Sequence, residues 1–321
     1  MTVAADVDLN DALVRYRSEL IAYCYRMLGS SSEAEDAVQD TMLRAWRGFE
    51  RYEGRASIRA WLYRIATNVC LDILRGRTRR ALPMDLAPPV DGPAPLGAPL
   101  ELARWVEPIP DSMITSPEHD PAEMVTSRDN IRVAFVSALQ HLLPRQRAVL
   151  VLRDVLRWKA DEVADLLDTS VDAVNSTLRR ARAALEAANL DPLTRPVAAV
   201  EQSLLHRYVD AFERLDIDTL VDLLREDATV CMPPFVLWLA GREAFRRWLT
   251  DAIEDCAESR LVPIRANGCP AVAVYRDTEH NGVHHAFAIH VLEPTDNQIA
   301  AIHVFLEPAM FDSFGLPARL D

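Results

Sequence analysis

Residues 160–182, ADEVADLLDTSVDAVNSTLRRAR, decide how the middle of the chain folds. Apolar side chains recur every three or four positions in two blocks, separated by Asp168, Thr169 and Ser170. Val163, Ala164 and Leu167 share one face of the first block, and Val171, Val174 and Leu178 share one face of the second, so the spacing predicts two packed helices. The outer face of the second helix then carries Asp172, Asn175, Ser176, Arg179 and Arg180. Arg and Asn read base edges through paired hydrogen bonds, and Ser or a further Arg holds phosphate, which is the layout of a helix-turn-helix. A helical hairpin with a solvated charged face has the same pattern, and the flanking sequence must decide between them.

Upstream of this pair, residues 128–143 read as a helix and Pro144 opens another. Nearer the N-terminus, helical spacing recurs over residues 13–28, 34–46 and 58–74. Gly29 can end the first helix, Ser32 with Glu35 forms a capping box for the second, and Ser57 can cap the third. The second helix turns Ala34, Val38, Met42 and Ala45 inward and leaves Asp36, Gln39, Asp40 and Arg44 outside, an acidic face suited to a basic partner. Residues 59–82 hold six Arg and one acid. Arg59, Trp61, Tyr63, Arg64 and Asn68 on one helix combine rings that stack on bases with cations that hold a backbone, as single-strand binding requires. Alternatively, Trp61, Leu62, Ile65 and Val69 form its core face.

Ten of the 20 prolines fall between Pro83 and Pro121, so residues 83–127 read as an extended, partly mobile acidic linker. The net charge of −13 is unevenly placed. Residues 1–82 carry 13 Arg and 11 acids, and residues 132–200 carry 10 basic and 8 acidic residues. The deficit lies in residues 83–131, with 2 Arg and 9 acids, and in 201–321, with 10 Arg and 20 acids, so it does not argue against nucleic-acid contact by the helical parts. The five cysteines form no CxxC pair, which disfavours a disulfide framework or zinc site and fits a reducing cytoplasm. The N-terminus lacks a basic start followed by an apolar stretch, and no signal peptide or membrane insertion is expected.

After Pro192 and Pro196 the texture changes to helices at 199–215, 217–225 and 241–253 with β-favouring runs at 227–232, 261–266, 271–276, 284–292 and 298–306. A tail with Phe311, Phe314 and Leu316 is expected to pack back on them. The fold class is therefore multidomain: two all-α modules, the second a helix-turn-helix, and a C-terminal α+β domain.

Residues 33–46, EAEDAVQDTMLRAW, then FERYEGRASIRAWLYRIATNVCLDILR, then the helix-turn-helix, resemble the extracytoplasmic-function group of bacterial RNA polymerase sigma factors in order and spacing. The resemblance implies a region 2 domain over 11–82 and a region 4 domain over 128–190. It implies docking of Asp36, Gln39, Asp40, Leu43 and Arg44 on the clamp helices of core RNA polymerase. It implies contact with the minus-ten element by Tyr52, Gly54, Arg55, Arg59, Trp61, Arg64, Asn68, Arg75 and Arg77, with a flipped base held near residues 52–57. Ser170, Asn175, Ser176, Arg179 and Arg180 would read the minus-thirty-five element of promoter DNA. Asn175 and Asp172 depart from the usual pattern there, and Lys159 stands where a Ser or Thr cap is common, a loss of roughly 1 kcal/mol at most.

Residues 198–316 resemble the SnoaL-like cone-shaped fold, through the helix and strand order and the MPP and WLAGREAFRRWL segments. Such a curved sheet encloses an apolar pocket, here expected to involve Tyr208, Met232, Phe235, Trp238, Phe287 and Phe305, with His290 and His303 nearby. His290 and His303 with Asp227 would make an acid-base set, although strand histidines are more often structural. His284 and His285 lack a third ligand for a metal. No catalytic residue, metal or cofactor is expected. Further partners would be an anti-sigma factor or a small-molecule ligand, and the extension would modulate the sigma core. The competing readings are a stand-alone helix-turn-helix regulator and a bifunctional protein that binds or isomerises a small hydrophobic molecule.

Overall fold

A left-handed glycine makes the first corner. Gly29, at φ 73°, ends α1 (Leu9–Leu28) and donates its N–H to Tyr25 O at 2.8 Å. The computed structural model describes residues 8–54, 56–115, 130–186 and 198–321, which form two units. One comprises residues 1–79 and 112–190, the other residues 80–111 and 191–321.

In the first unit, α2 (Ser31–Gly48) and α3 (Ile58–Ile73) pack with α1. Leu20, Ile21 and Leu28 of α1 are buried, as are Ala34 and Val38 of α2 and Leu62 and Val69 of α3. Ser57 caps α3, its Oγ accepting Ala60 N at 3.2 Å, as expected. The cap of α2 is Ser30, not Ser32: Ser30 Oγ accepts Glu33 N at 3.2 Å, so the helix starts earlier than the apolar period indicates. The second helical module comprises α4 (Val133–Gln140), α5 (Pro144–Leu150) continued by a π-helical turn Val151–Val155, α6 (Ala160–Leu166) and α7 (Val171–Glu186). Residues 128 and 129, expected to be helical, lie outside the described residues. Asp168, at φ 51°, makes the turn between α6 and α7. Val171 is 41% exposed, outside the apolar face assigned to it, because it opens α7 where no turn precedes it. Lys159 gives α6 no side-chain cap, but its N–H donates to Glu162 Oε2 at 2.7 Å.

In the second unit, α8 (Ala198–Glu213), α9 (Ile217–Asp222) and α10 (Arg242–Ala252) lie with a sheet of β1 (Leu224–Cys231), β2 (Trp238–Ala240), β3 (Ser259–Ala266), β4 (Cys269–Arg276), β5 (His284–Thr295), β6 (Gln298–Phe305) and β7 (Arg319–Leu320). The order is β2-β1-β6-β5-β4-β3, with β7 on β5; β1 and β6 are parallel and the other pairs antiparallel. Leu205, Phe212, Leu220, Phe245, Val272 and Ile302 belong to one core between helices and sheet. In the tail, Phe311 is buried edge-on against Tyr275, with ring centroids 5.1 Å apart.

The proline-rich segment departs from the expected mobile linker. Residues 80–111 belong to the second unit as a strap. Val90 N donates to Trp238 O at 2.8 Å, Leu100 N to Pro234 O at 2.9 Å, and Gly268 N to Asp111 Oδ1 at 2.7 Å. Arg80 and Glu107 form a buried pair at 3.3 Å. Proline-rich chain has no internal ladder, so its backbone groups are free to bond a neighbouring sheet edge, and here they do. Residues 116–127 of the expected linker lie outside the described residues.

Candidate functional site

On α2, Asp36, Gln39, Leu43 and Arg44 are exposed and Asp40 is half-buried. Arg44 bridges Asp40 at 2.8 Å and Asp72 at 3.6 Å. Leu43 is 50% exposed, and so, at 69%, is Trp46, which the sequence reading did not assign to this face. Its position a turn beyond Leu43 was the available signal.

The α3 face is built from an aromatic cluster and a row of cations. Trp61 is half-buried against Tyr52, with centroids 5.0 Å apart, and Tyr52 stacks on Phe49 at 5.9 Å. Tyr52 Oη donates to Ala56 O at 2.5 Å, closing the loop that contains Gly54 at φ 70°. Arg55 lies outside the described residues. Asn68 is exposed, Arg75 bridges Asp72 at 3.1 Å, and Arg77 bridges Glu33 at 2.5 Å. Tyr63 corrects the sequence reading: it is fully buried, packed on Tyr23 and Trp158 with centroids 5.1 Å away in each case, and offers no ring to a base.

The second helical module covers part of this face. Arg59 bonds Glu19 at 2.8 Å and lies 5.5 Å over the Tyr63 ring and 5.6 Å over Trp158. Arg64 donates to Asp165 O in α6. Arg147 of α5 is buried and donates to Met27 O at the end of α1, to Gln140 Oε1 and O, and to Leu142 O. Burial lowers the Arg147 and Arg26 guanidinium pKa values to about 10.

On α7, Asn175, Arg179 and Arg180 are exposed and Ser176 is half-buried. Ser170 is spent locally, its Oγ accepting Ala173 N at 3.2 Å. Arg182 holds Asp154 through two bonds of 2.6 and 2.8 Å, tying α7 to the π-helical turn.

The second unit contains a cavity of about 580 Å³, lined by Tyr208 and His290 as expected, together with Met232 and Phe287. Tyr208 Oη and His290 Nδ1 are 2.9 Å apart. Burial and the charge of Arg276 lower the His290 pKa to about 3, so the ring is neutral. Trp238 and His303 do not line the cavity. Trp238 instead donates Nε1–H to Ala87 O of the strap at 2.8 Å. His303 points to the other side of the sheet, because Val304 and Ile302 face the cavity and strand side chains alternate. There it lies 3.2 Å from Cys231 Sγ and 3.2 Å from Glu293 Oε1, all three buried. Asp227 is exposed and paired with Arg225, so the set of His290, His303 and Asp227 is not assembled. Phe305 likewise follows His303 away from the cavity lining, and Phe235 packs at the edge of the core. Among the described residues no cluster suits a metal, and no helix is long and apolar enough to cross a membrane.

Three domain models match in order: Sigma-70 region 2 over residues 13–80, Sigma-70 region 4 over 132–185, and a SnoaL-like domain over 205–302. The ECF RNA polymerase sigma factor SigG of Mycobacterium tuberculosis is 45% identical over 313 residues, covering 95% of this chain and 83% of that one. The probable ECF RNA polymerase sigma factor SigI of the same species is 26% identical, covering 92% of each. The crystal structure of the Mycobacterium tuberculosis extracytoplasmic function sigma factor SigJ shares the fold, with a TM-score of 0.64 at 23% identity, over 97% of this chain and 100% of that one. The exposed face of α2, the aromatic-basic helix α3 and the helix-turn-helix thus stand within a chain that belongs to the ECF RNA polymerase sigma factors and carries a SnoaL-like domain after region 4.

Proposed function

We propose that this sigma factor docks on core RNA polymerase through the outer face of α2, engages the minus-ten element through α3 and its preceding loop, and reads the minus-thirty-five element through α7. The observation that carries the docking assignment is the exposed row Asp36, Gln39, Leu43 and Trp46, in which two large apolar side chains stand among polar groups on a rigid helix. Arg59, Trp61, Arg64 and Asn68 on α3, with Arg75 and Arg77 beyond its C-terminal end, supply stacking and phosphate contacts, and Tyr52 and Gly54 lie in the loop before it. On α7, Asn175, Arg179 and Arg180 reach base edges and phosphates, while Ser170 and Ser176 sit at the near end of the same face. These are binding roles, and the relatives named sigma factors act by binding. Unit one as described is a closed form, in which Arg59 and Arg64 are engaged by region 4. Promoter contact therefore requires α6 to leave α3, and binding to polymerase supplies the energy for that shift. The SnoaL-like domain modulates the cycle through the strap that joins the two regions.

Run-off transcription with purified core polymerase tests this. Leu43→Arg is expected to lose polymerase co-elution and transcript with an unchanged melting temperature, and Arg179→Ala to keep co-elution while losing promoter selectivity. Full transcription by the Leu43→Arg protein would overturn the docking assignment. Ending the chain after residue 196 is expected to change promoter activity; unchanged activity would remove the regulatory role.

A further inference from the structure

The cavity of the SnoaL-like domain is not closed by that domain alone: Pro93, Ala94, Pro95 and Leu96 of the strap form part of its lining. The strap is fastened around this wall. Trp248, itself a lining residue, donates Nε1–H to Ala94 O at 3.3 Å, Trp238 holds Ala87, Asp91 pairs with Arg247, and Leu100 N bonds Pro234 O at 2.9 Å. The same residues are part of the covalent connection between α3 of region 2 and α4 of region 4. Whatever fills the cavity therefore touches the segment that sets how far the two DNA-reading regions can separate.

The lining also defines the chemistry of an occupant. Phe212, Phe245, Leu249, Ile302 and Leu306 make its body apolar, and the volume suits a small organic molecule. The polar groups are few. Arg276 is the cation of the lining, its guanidinium stacked 3.7 Å from the Phe287 centroid and its Nη2 3.2 Å from Cys256 Sγ. Asp251 is an exposed lining residue. Tyr208 Oη and His290 Nδ1 lie 2.9 Å apart and either can donate; in the tautomer in which Tyr208 donates, the neutral ring carries its proton on Nε2, which makes no hydrogen bond among the described residues. A guanidinium with a neutral imidazole donor matches an oxyanion, whereas an amine would meet Arg276 unfavourably.

We propose that this cavity binds an apolar monocarboxylate, with Arg276 and the His290 Nε2–H on the carboxylate, and that the bound molecule fixes residues 93–96 and with them the path between regions 2 and 4. The proposal rests on the reading of this domain as a regulator and gives that role a ligand class and a route of action.

The test uses the full-length protein without polymerase or DNA. Dodecanoic acid is titrated by calorimetry, with dodecanol as the neutral comparison, and amide hydrogen exchange is followed at Ala94, Leu96 and Gly97. The acid is expected to bind saturably and about tenfold or more tighter than the alcohol, the scale of one charge-assisted contact. Arg276→Gln is expected to bring the acid down to the alcohol, Val304→Trp to fill the cavity and abolish both, and acid binding to slow exchange at the three amides. No binding by the folded wild-type chain overturns the site, as does an acid preference that survives Arg276→Gln, a measurement that stands if Val304→Trp fails to fold. Binding with unchanged exchange at the strap overturns the coupling. Either failure leaves the truncation result after residue 196 untouched, and an unchanged promoter activity on truncation would overturn the regulatory reading even with binding intact.

Discussion

His290 and His303 lie on adjacent strands and shift in opposite directions because they occupy opposite faces of one sheet. At His303 burial opposes the imidazolium, but the Cys231 sulfur and the Glu293 carboxylate outweigh it and raise the pKa from 6.5 to about 10. A raised folded-state value gives stability that is full below 6.5 and lost as pH rises to about 10. At His290 the value falls to about 3, so the unfolded chain binds the extra proton and stability drops as pH falls from 6.5 toward 3. Urea midpoints measured across both windows should show His303→Asn flattening the alkaline decline and leaving the acid limb as in the parent. A variant that keeps the parent's alkaline decline would show that the trio carries no such linkage. This separation was within reach of the sequence, since strand alternation puts His303 opposite in sense to Val304. It was hidden by register, because only the pairing of His290 with Val304 and of Val291 with His303 says which faces coincide.

At the scale of elements, local chemistry was legible wherever a single residue makes a corner. Gly29 is such a case. Alanine there would have to hold φ 73°, a conformation L-residues avoid, so Gly29→Ala should lower unfolding stability by about 1 kcal/mol while leaving helix content intact. Equilibrium urea unfolding with circular dichroism checks it, and an unchanged midpoint would mean that the α1–α2 corner relaxes freely. Ser57 and the Asp168 turn were readable for the same reason. Ser30 was not, because its neighbours Ser31 and Ser32 offer the same hydroxyl and only the helix start chooses between them. The two-residue β7 and three-residue β2 left no period to detect. The strap was misread for a deeper reason: proline content reports the lack of internal hydrogen bonds, and says nothing about bonds made to Trp238, Pro234 or Gly268 far along the chain. Helices α3 and α7 show the converse. Their outward residues were predictable from period, yet whether Arg59 meets a phosphate or Trp158 depends on packing between regions distant in sequence.

For the whole molecule, the charge balance and the packing of Arg59 and Arg64 together lead to the expectation of weak DNA binding by the polymerase-free chain. Residues 1–82 and 132–200 carry 13 against 11 and 10 against 8 basic and acidic residues, so counterion release alone supports only weak binding. In the closed form even that is reduced, because Arg59 lies over Trp158 and Arg64 bonds α6. Trp158 is central to this packing: it is 7% exposed, packs on Tyr63 across the region 2–region 4 contact, and reads no base in the proposed scheme. Trp158→Ala should therefore move two observables in opposite directions. Stability should fall by about 3 kcal/mol, as for loss of a buried aromatic ring. Affinity of the polymerase-free chain for a promoter fragment should rise severalfold, because Arg59 and the α3 face are released, and the rise should shrink with added salt. Fluorescence anisotropy over a salt series, beside a urea melt, separates the outcomes. A protein that loses stability without gaining DNA affinity would mean that the contact only holds the fold, and that the small positive charge rather than closure limits DNA binding by the free chain.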